Sequence, residues 1–366
     1  MKLFFVSTLN FYLFKKYLMN FLMLIFGLLA LIYMFDTVEL LRRASDSGDV
    51  KISQVFILAF YKLPDVGQQL FTFAVLFSAI LTFWQLAKRH ELVILRSAGL
   101  SVWQFIFPIL LAAFLIGIVK ITIVNPVSVL LLSRYNILES QYLDKQANPI
   151  NISDQGLWLR QDYDDGSAIL HAGSIKFPEW LLKNITVFIL DEDDGFLKRV
   201  DAKEARLFNA QWLFSKAIVN EPSKPPEKFD KITLQTDVTV AQLEKSFSSA
   251  ETISFWKFPD YIKTLENTGF NSRPLKIYFQ SLLSQPLLFM SMILLAATVS
   301  LRPPRTNGAF ILILGGVGIG FLVFFASNFL QALGSSAQIP LFIAAWFPAI
   351  ITFILGLGVL MTLEDG

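Results

Sequence analysis

The sequence predicts a membrane α-helical protein: six transmembrane helices, three plus three, around an inserted all-β domain of jelly-roll or sandwich type. Three observations carry this. Hydrophobic residues make up 54% of the 366, with 36 Phe among them, and they gather in long unbroken runs. Six runs, about 12–35, 64–86, 102–124, 277–301, 308–333 and 339–362, are long enough to cross roughly 30 Å of hydrocarbon as helices. Between the third and fourth, residues 139–275 carry 16 Lys plus Arg against 21 Asp plus Glu, the composition of a soluble, mildly acidic insert. The chain divides accordingly into helices one to three over 1–138, the β domain over 139–272, and helices four to six over 273–366.

The first run exceeds an ordinary signal-peptide core and leads into "MFDTVELLRR" with no small-residue cleavage pattern, so it is expected to persist as a helix. Lys62, Pro64 and Asp65 interrupt the start of the second span. There Pro opens backbone groups that only protein or water tolerates, which turns Lys62 towards headgroups, or it simply marks a loop-to-helix transition. "AKRHELVILRSAGLS" then separates spans two and three. A positive-inside loop explains Lys88, Arg89 and Arg96 but neither Glu91 nor the apolar run. A short helix over about 87–98, lying on the membrane surface with Leu92, Val93 and Leu95 towards the bilayer or a groove, explains both and suits docking to a cytosolic partner.

Orientation follows from basic residues near span ends. Lys2, Lys15, Lys16, Lys88, Arg89, Arg96, Arg302 and Arg305 fall on one side and argue for a cytoplasmic N-terminus, while the loop between spans five and six carries no Lys or Arg. Arg42, Arg43 and Lys51, after span one, run against the rule. Three crossings then place the insert outside the cytoplasm, which in a bacterium is the periplasm. Its texture is β: "KNITVFIL", "FLKRVDAKEARLF", "QWLFSKAIV" and "KITLQTDVTV" alternate in part, and "DEDDGF" supplies an Asp-Gly turn. "NEPSKPPEKFD" reads as a surface loop and "FWKFPDYIKTLENTGF" as a short helix returning towards span four.

Several function classes lack material. No Gly-rich loop ends in Lys-Ser/Thr, and "GGVGIG" lies inside an apolar span, where Gly316 and Gly320 suit close helix packing. Two His far apart and no Cys leave little for a metal centre, a His-based triad or a disulfide, so the chain is expected to be no enzyme by itself and to bind no cofactor directly.

"RHELVILRSAGLS" after span two, "DQGLWLR" opening the insert, and the three-plus-three arrangement together resemble the LptF/LptG permeases of lipopolysaccharide export; the Gly-Leu-Trp motif is more like the LptG side of that family. The resemblance covers essentially the whole chain. It implies a permease half that draws lipopolysaccharide from the outer leaflet of the inner membrane and passes it to a periplasmic bridge. It further implies a homologous LptF-like half, a dimeric cytosolic LptB-like ATPase that uses the ATP, and a single-span LptC-like periplasmic partner. Both termini would be cytoplasmic. Arg89, Glu91, Leu92, Leu95 and Arg96 would couple to the ATPase, with Glu91 matching the family's acidic position. The misplaced Arg42 and Arg43, with Lys62 and Arg134, would meet the lipid A phosphates.

Against that stands plain pairing of Arg42 and Arg43 with Glu39 at i,i+3 and i,i+4. The sequence also departs from several family members, placing Met34 and Asp36 where a further basic residue is usual. Two rival readings remain: an ion-coupled secondary transporter, which needs polar or acidic groups buried at mid-span although spans four to six are nearly free of charge, and a membrane-anchored periplasmic scaffold.

Overall fold

A computed structural model describes residues 8–47, 51–142, 150–153, 156–163, 166–176, 181–191, 195–208, 211–222, 224–236, 250–267, 271–300 and 309–364. Lys2, Arg302, Arg305 and residues 192–194 of "DEDDGF" lie outside the described residues. The chain forms two compact units. One comprises residues 1–143, 254–256 and 276–366, and the other 144–253 and 257–275.

The helical unit opens with α1 (Thr8–Ser47) and α2 (Ile52–Lys88), followed by the short α3 (Glu91–Ser97). Next come α4 (Val102–Val119), a π-helical turn (Lys120–Val124) and α5 (Asn125–Tyr142) in one continuous rod. The remaining long helices are α7 (Arg273–Ser300), α8 (Ala309–Ser335) and α9 (Leu341–Glu364). Six helical segments are long and apolar enough to cross a membrane, matching the six expected runs in order. Spans one and two are longer than their hydropathy predicts, because the helices continue through polar turns. In particular Lys62, Pro64 and Asp65 sit well inside α2, which begins at Ile52. They do not interrupt the start of a helix.

The π turn has a local cause. Pro126 has no N–H to offer the carbonyl four residues back, that of Thr122, and its ring crowds that turn. The Thr122 carbonyl accepts the indole N–H of Trp256 at 3.3 Å, and Asn125 Oδ1 accepts the Phe255 backbone N–H at 2.9 Å. Close helix packing is set by glycines: a Cβ at Gly316 or Gly320 would overlap Ile80 or Leu76 of α2, as expected for "GGVGIG". A single apolar core joins Tyr17 and Phe21 of α1, Phe83 of α2, Leu92 of α3, Phe105 of α4 and Phe289 of α7.

The second unit is built on seven antiparallel strands: β1 (Ile150–Ser153), β2 (Gly156–Tyr163), β3 (Gly166–Lys176), β4 (Leu181–Leu190), β5 (Phe196–Phe208), β6 (Gln211–Asn220) and β7 (Glu227–Gln235). Helix α6 (Phe258–Asn267) follows. Each strand pairs with the next, so among the described residues the all-β insert is one meander sheet. The Greek-key crossings of a strict jelly roll are not seen among the described residues. Period-2 alternation sends one row per register to a common face: Leu159, Leu170, Val187, Val200 and Val219 align across five strands. Trp212 and Phe214 close the same core. The sheet curls far enough for Gln161 of β2 to hydrogen-bond Thr236 just after β7.

Candidate functional site

Near the C-terminal end of α1 a collar of charge is assembled from three helices. Asp36, Glu39 and Arg43 recur on α1 at spacings of three and four, which places them on one face. Glu39 accepts two hydrogen bonds from Arg42, at 3.1 and 2.9 Å, and one from Arg43 at 3.2 Å. Arg43 also lies 3.6 Å from Glu139 of α5. Lys62 of α2 donates to Asp36 at 2.7 Å, and its ammonium sits 5.8 Å from the centre of the Tyr135 ring. Tyr135 in turn donates to Glu139 at 2.6 Å. The apolar side chains Leu40, Val55 and Leu58 pack beneath and hold the three helices together.

Three of the four sequence-predicted substrate residues, Arg42, Arg43 and Lys62, therefore converge, and each carries a carboxylate partner. Arg134 is exposed on α5, one residue before Tyr135. The spacing of Glu39 to the arginines was legible in the sequence. Asp36 and Glu139 as counter-charges were not, since their partners lie on other helices. Asp36, where family resemblance leads one to expect a base, is the acid that balances Lys62.

Directly along the helices from the collar is an apolar cavity of about 500 Å³ between α1, α2 and α4, lined among others by Ile25, Leu29, Leu63, Pro64, Phe71 and Ile116. Leu63 and Pro64 follow Lys62 immediately, so the cavity begins where the charged collar stops. Pro64 thus shapes the wall of a cavity rather than the start of a span.

A second feature lies at the far end of α1. Helix α3 is set off from α2 by Arg89 and His90, the latter in a left-handed conformation (φ 57°), and left through Gly99 (φ 77°). The expected helix over 87–98 is real but shorter, and its faces are assigned differently. Leu92 is buried against α1 and α2, and Leu95 packs on the same core. Val93 and Ile94 are exposed, as are Arg89 and Arg96. Glu91 turns inward, 3.0 Å from Tyr12 Oη and 3.2 Å from Lys16 Nζ.

Sequence reasoning missed Lys120. It is 4% exposed in the π turn, with its ammonium 5.6 Å from the ring centres of both Phe71 and Phe289. One turn on, Asn125 donates to Gln68 of α2 at 3.3 Å. The signal was present as one Lys inside "FLIGIVKITIV", a charge in an otherwise apolar run.

Comparison with known proteins gives a consistent result over nearly the whole chain. The family "Lipopolysaccharide export system permease LptF/LptG" matches residues 11–362. The chain is similar to the lipopolysaccharide export system permease protein LptG of Escherichia coli, 23% identical over 369 residues, covering 97% of this chain and 98% of that protein. It is also similar to LptG of Haemophilus influenzae, 22% identical over 327 residues, covering 86% and 87%.

Proposed function

From the premise that this chain belongs to the LptF/LptG family of lipopolysaccharide export permeases, we propose that it is the permease half of an ATP-driven exporter. In this reading it takes lipopolysaccharide from the outer leaflet of the inner membrane and passes it to a periplasmic bridge. It works beside an LptF-like half and an LptC-like partner, and a separate LptB-like ATPase hydrolyses the ATP. The chain itself is a multi-pass inner-membrane protein and a transport subunit.

The observation that carries this reading is the junction of collar and cavity. Arg42, Arg43 and Lys62 meet at the end of the first span, and an apolar volume large enough for acyl chain segments starts beside Lys62. An amphipathic ligand with phosphates at the headgroup and acyl chains below fits both halves of that arrangement. The pairing with Asp36, Glu39 and Glu139 sets the energetics. A phosphate arriving at the collar exchanges one anionic partner for another, so the net gain is far smaller than for bare cations. That suits a carrier, which has to release what it binds. Arg134 stands outside the pairs and meets the headgroup as a fourth contact.

At the other membrane face, α3 docks on the ATPase through its outward residues Val93, Ile94 and Arg96, with Arg89 just before it. Leu92 and Leu95 serve coupling by seating α3 on its own bundle.

Photocrosslinking of lipopolysaccharide to the purified complex tests the substrate path. In the double variant Arg42→Ala, Arg43→Ala, crosslinking is expected to fall about tenfold while the ATPase still co-purifies. Full crosslinking in a correctly assembled double variant would remove the arginines from the path.

One observation favours a second reading, ion-coupled transport: Lys120 is an ionisable group buried at mid-span, one turn from Asn125 and its bond to Gln68 of α2. Export that persists without ATP and collapses with the proton gradient would favour it.

A further inference from the structure

We propose that Ser254–Trp256 form a strap that responds to the apolar cavity, with Asn125 as the positioning residue that ties it to the cavity wall, so that acyl chains in the cavity and a seated strap stabilise each other. This rests on the exporter reading above and adds a route by which lipid capture reaches the chain on either side of the strap.

Residues 144–253 and 257–275 belong to the second unit, but Ser254–Trp256 between them belong to the helical unit. Three contacts hold them there. Asn125 Oδ1 accepts the Phe255 backbone N–H at 2.9 Å, and the Trp256 indole N–H donates to the Thr122 carbonyl at 3.3 Å. The Phe255 ring stacks on Phe279 of α7, with centres 5.5 Å apart and planes 25° from parallel. Both hydrogen bonds thus fall on the π turn or on the residue that follows it. The outer side of the strap is exposed at Trp256 and Lys257, so it can lift without opening the core.

The same turn is cavity wall. Val119 just before it and Val124 at its end line the cavity, as do Gly67 and Phe71 of α2. Asn125 follows Val124, and its Nδ2 donates at 3.3 Å to Gln68, which follows Gly67. Lys120, which opens the turn, has its ammonium 5.6 Å from the centre of the Phe71 ring. Asn125 is wholly buried, and its amide bonds the strap with one end and α2 with the other, beside a wall residue on each helix. Hydrogen bonds are lost beyond about 3.5 Å, so a small shift of the wall breaks this bridge. A π turn is a rare departure from the α ladder, and contacts from outside the rod help to fix it in place. A seated strap therefore keeps Val119 and Val124 where they leave room for acyl chains, which pre-organises the cavity. By linkage, a ligand that fits the cavity favours the seated strap to the same extent.

The test uses the complete complex of both permease halves and the ATPase in nanodiscs of phosphatidylethanolamine and phosphatidylglycerol, with and without lipopolysaccharide. Bilayer lipid is present in both arms, so any difference belongs to lipopolysaccharide. The chain has no cysteine, so in Ser254→Cys a polymer-linked maleimide shifts this chain on a gel only through the strap. Lipopolysaccharide is expected to slow that labelling about fivefold. In the same background Trp256→Phe removes only the indole N–H, and Asn125→Leu removes both amide bonds. Each is expected to abolish the slowing and to raise the Kd for labelled lipopolysaccharide about fivefold, with the ATPase still co-purifying. Trp256→Phe alters an exposed ring and decides alone if Asn125→Leu does not assemble. Lipopolysaccharide that binds but leaves the labelling rate of Ser254→Cys unchanged overturns the proposal, since the contacts are then a fixed tie. Unchanged lipopolysaccharide affinity in the assembled variants overturns it as well, and both results leave the exporter reading standing. A complex that binds no lipopolysaccharide overturns the exporter reading itself, and this proposal with it.

Discussion

At the scale of single residues, what matters is how the collar's cations are balanced. Lys62 and Asp36 form a short pair at 2.7 Å, with side chains 28% and 16% exposed, so neither is fully screened by water. If Asp36 competes with phosphate for Lys62, Asp36→Asn gives the ligand an uncontested cation. Lipopolysaccharide is then expected to stay bound several-fold longer, with export slowed in proportion, because release rather than capture becomes limiting. The dissociation half-time of labelled lipopolysaccharide from nanodisc complexes reads this directly, and an unchanged or shorter half-time would show that Asp36 is only structural. Arg42, Arg43 and Glu39 could be paired from the sequence because i,i+3 and i,i+4 spacing is local. Asp36 with Lys62 and Arg43 with Glu139 could not, because three helices had to be brought together first. Glu91 was recognised as the odd charge in its segment, yet its direction was invisible for the same reason: Lys16 and Tyr12 belong to another helix.

At the scale of elements, glycine decides how closely helices approach, and the helical unit offers a clean contrast. A Cβ on Gly117 of α4 would lie 2.6 Å from the Pro286 Cα of α7, a backbone atom on a rigid ring that cannot turn aside. Gly27 of α1 has nothing within 4 Å of such a Cβ. Gly117→Ala is therefore expected to destabilise the helical unit by about 1–3 kcal/mol through overpacking. Gly27→Ala is expected to be neutral or slightly favourable, since alanine is the better helix former. Unfolding in mixed detergent micelles checks both, and equal midpoints for the two variants would mean that α4 and α7 separate without cost. The existence of the six spans and the all-β character of the insert were legible, because long apolar runs and partial alternation are strong local signals. The ends of α1 and α2 were not, because hydropathy reports where a segment is apolar and says nothing of a helix continuing through Glu39 or Lys62. The meander order was also out of reach, since alternation gives a strand its face but not its neighbour. The π turn before Pro126 and the indole of Trp256 that bonds Thr122 came from the structure alone.

At the scale of the whole molecule, orientation decides whether collar and surface helix are on the membrane faces that the exporter reading requires. Lys15 and Lys16 near the start of α1, Lys88 at the end of α2, and Arg89 and Arg96 about α3 cluster at span ends that an even number of crossings puts on one side; Lys2, Arg302 and Arg305 join them in the sequence. Against these eight stand Arg42, Arg43 and Lys51. Loops rich in Lys and Arg stay in the cytoplasm, so α3 is expected to face the cytoplasm and the sheet, inserted after three spans, the periplasm. The minority arginines do not weaken this, because Glu39 and Glu139 hold them in local pairs that persist on either side. A reporter enzyme that matures only outside the cytoplasm, inserted after Pro222 between β6 and β7, is therefore expected to be active. A cytoplasm-dependent fluorescent reporter at the same position is expected to be dark. The insertion point lies in a connection between strands, where added chain disturbs the ladder least. The opposite pattern, a bright cytoplasmic reporter and an inactive external one, would put α3 on the face where no ATP is available. Docking of an ATPase there would fall with it, while the collar would then meet the lipids of the inner leaflet.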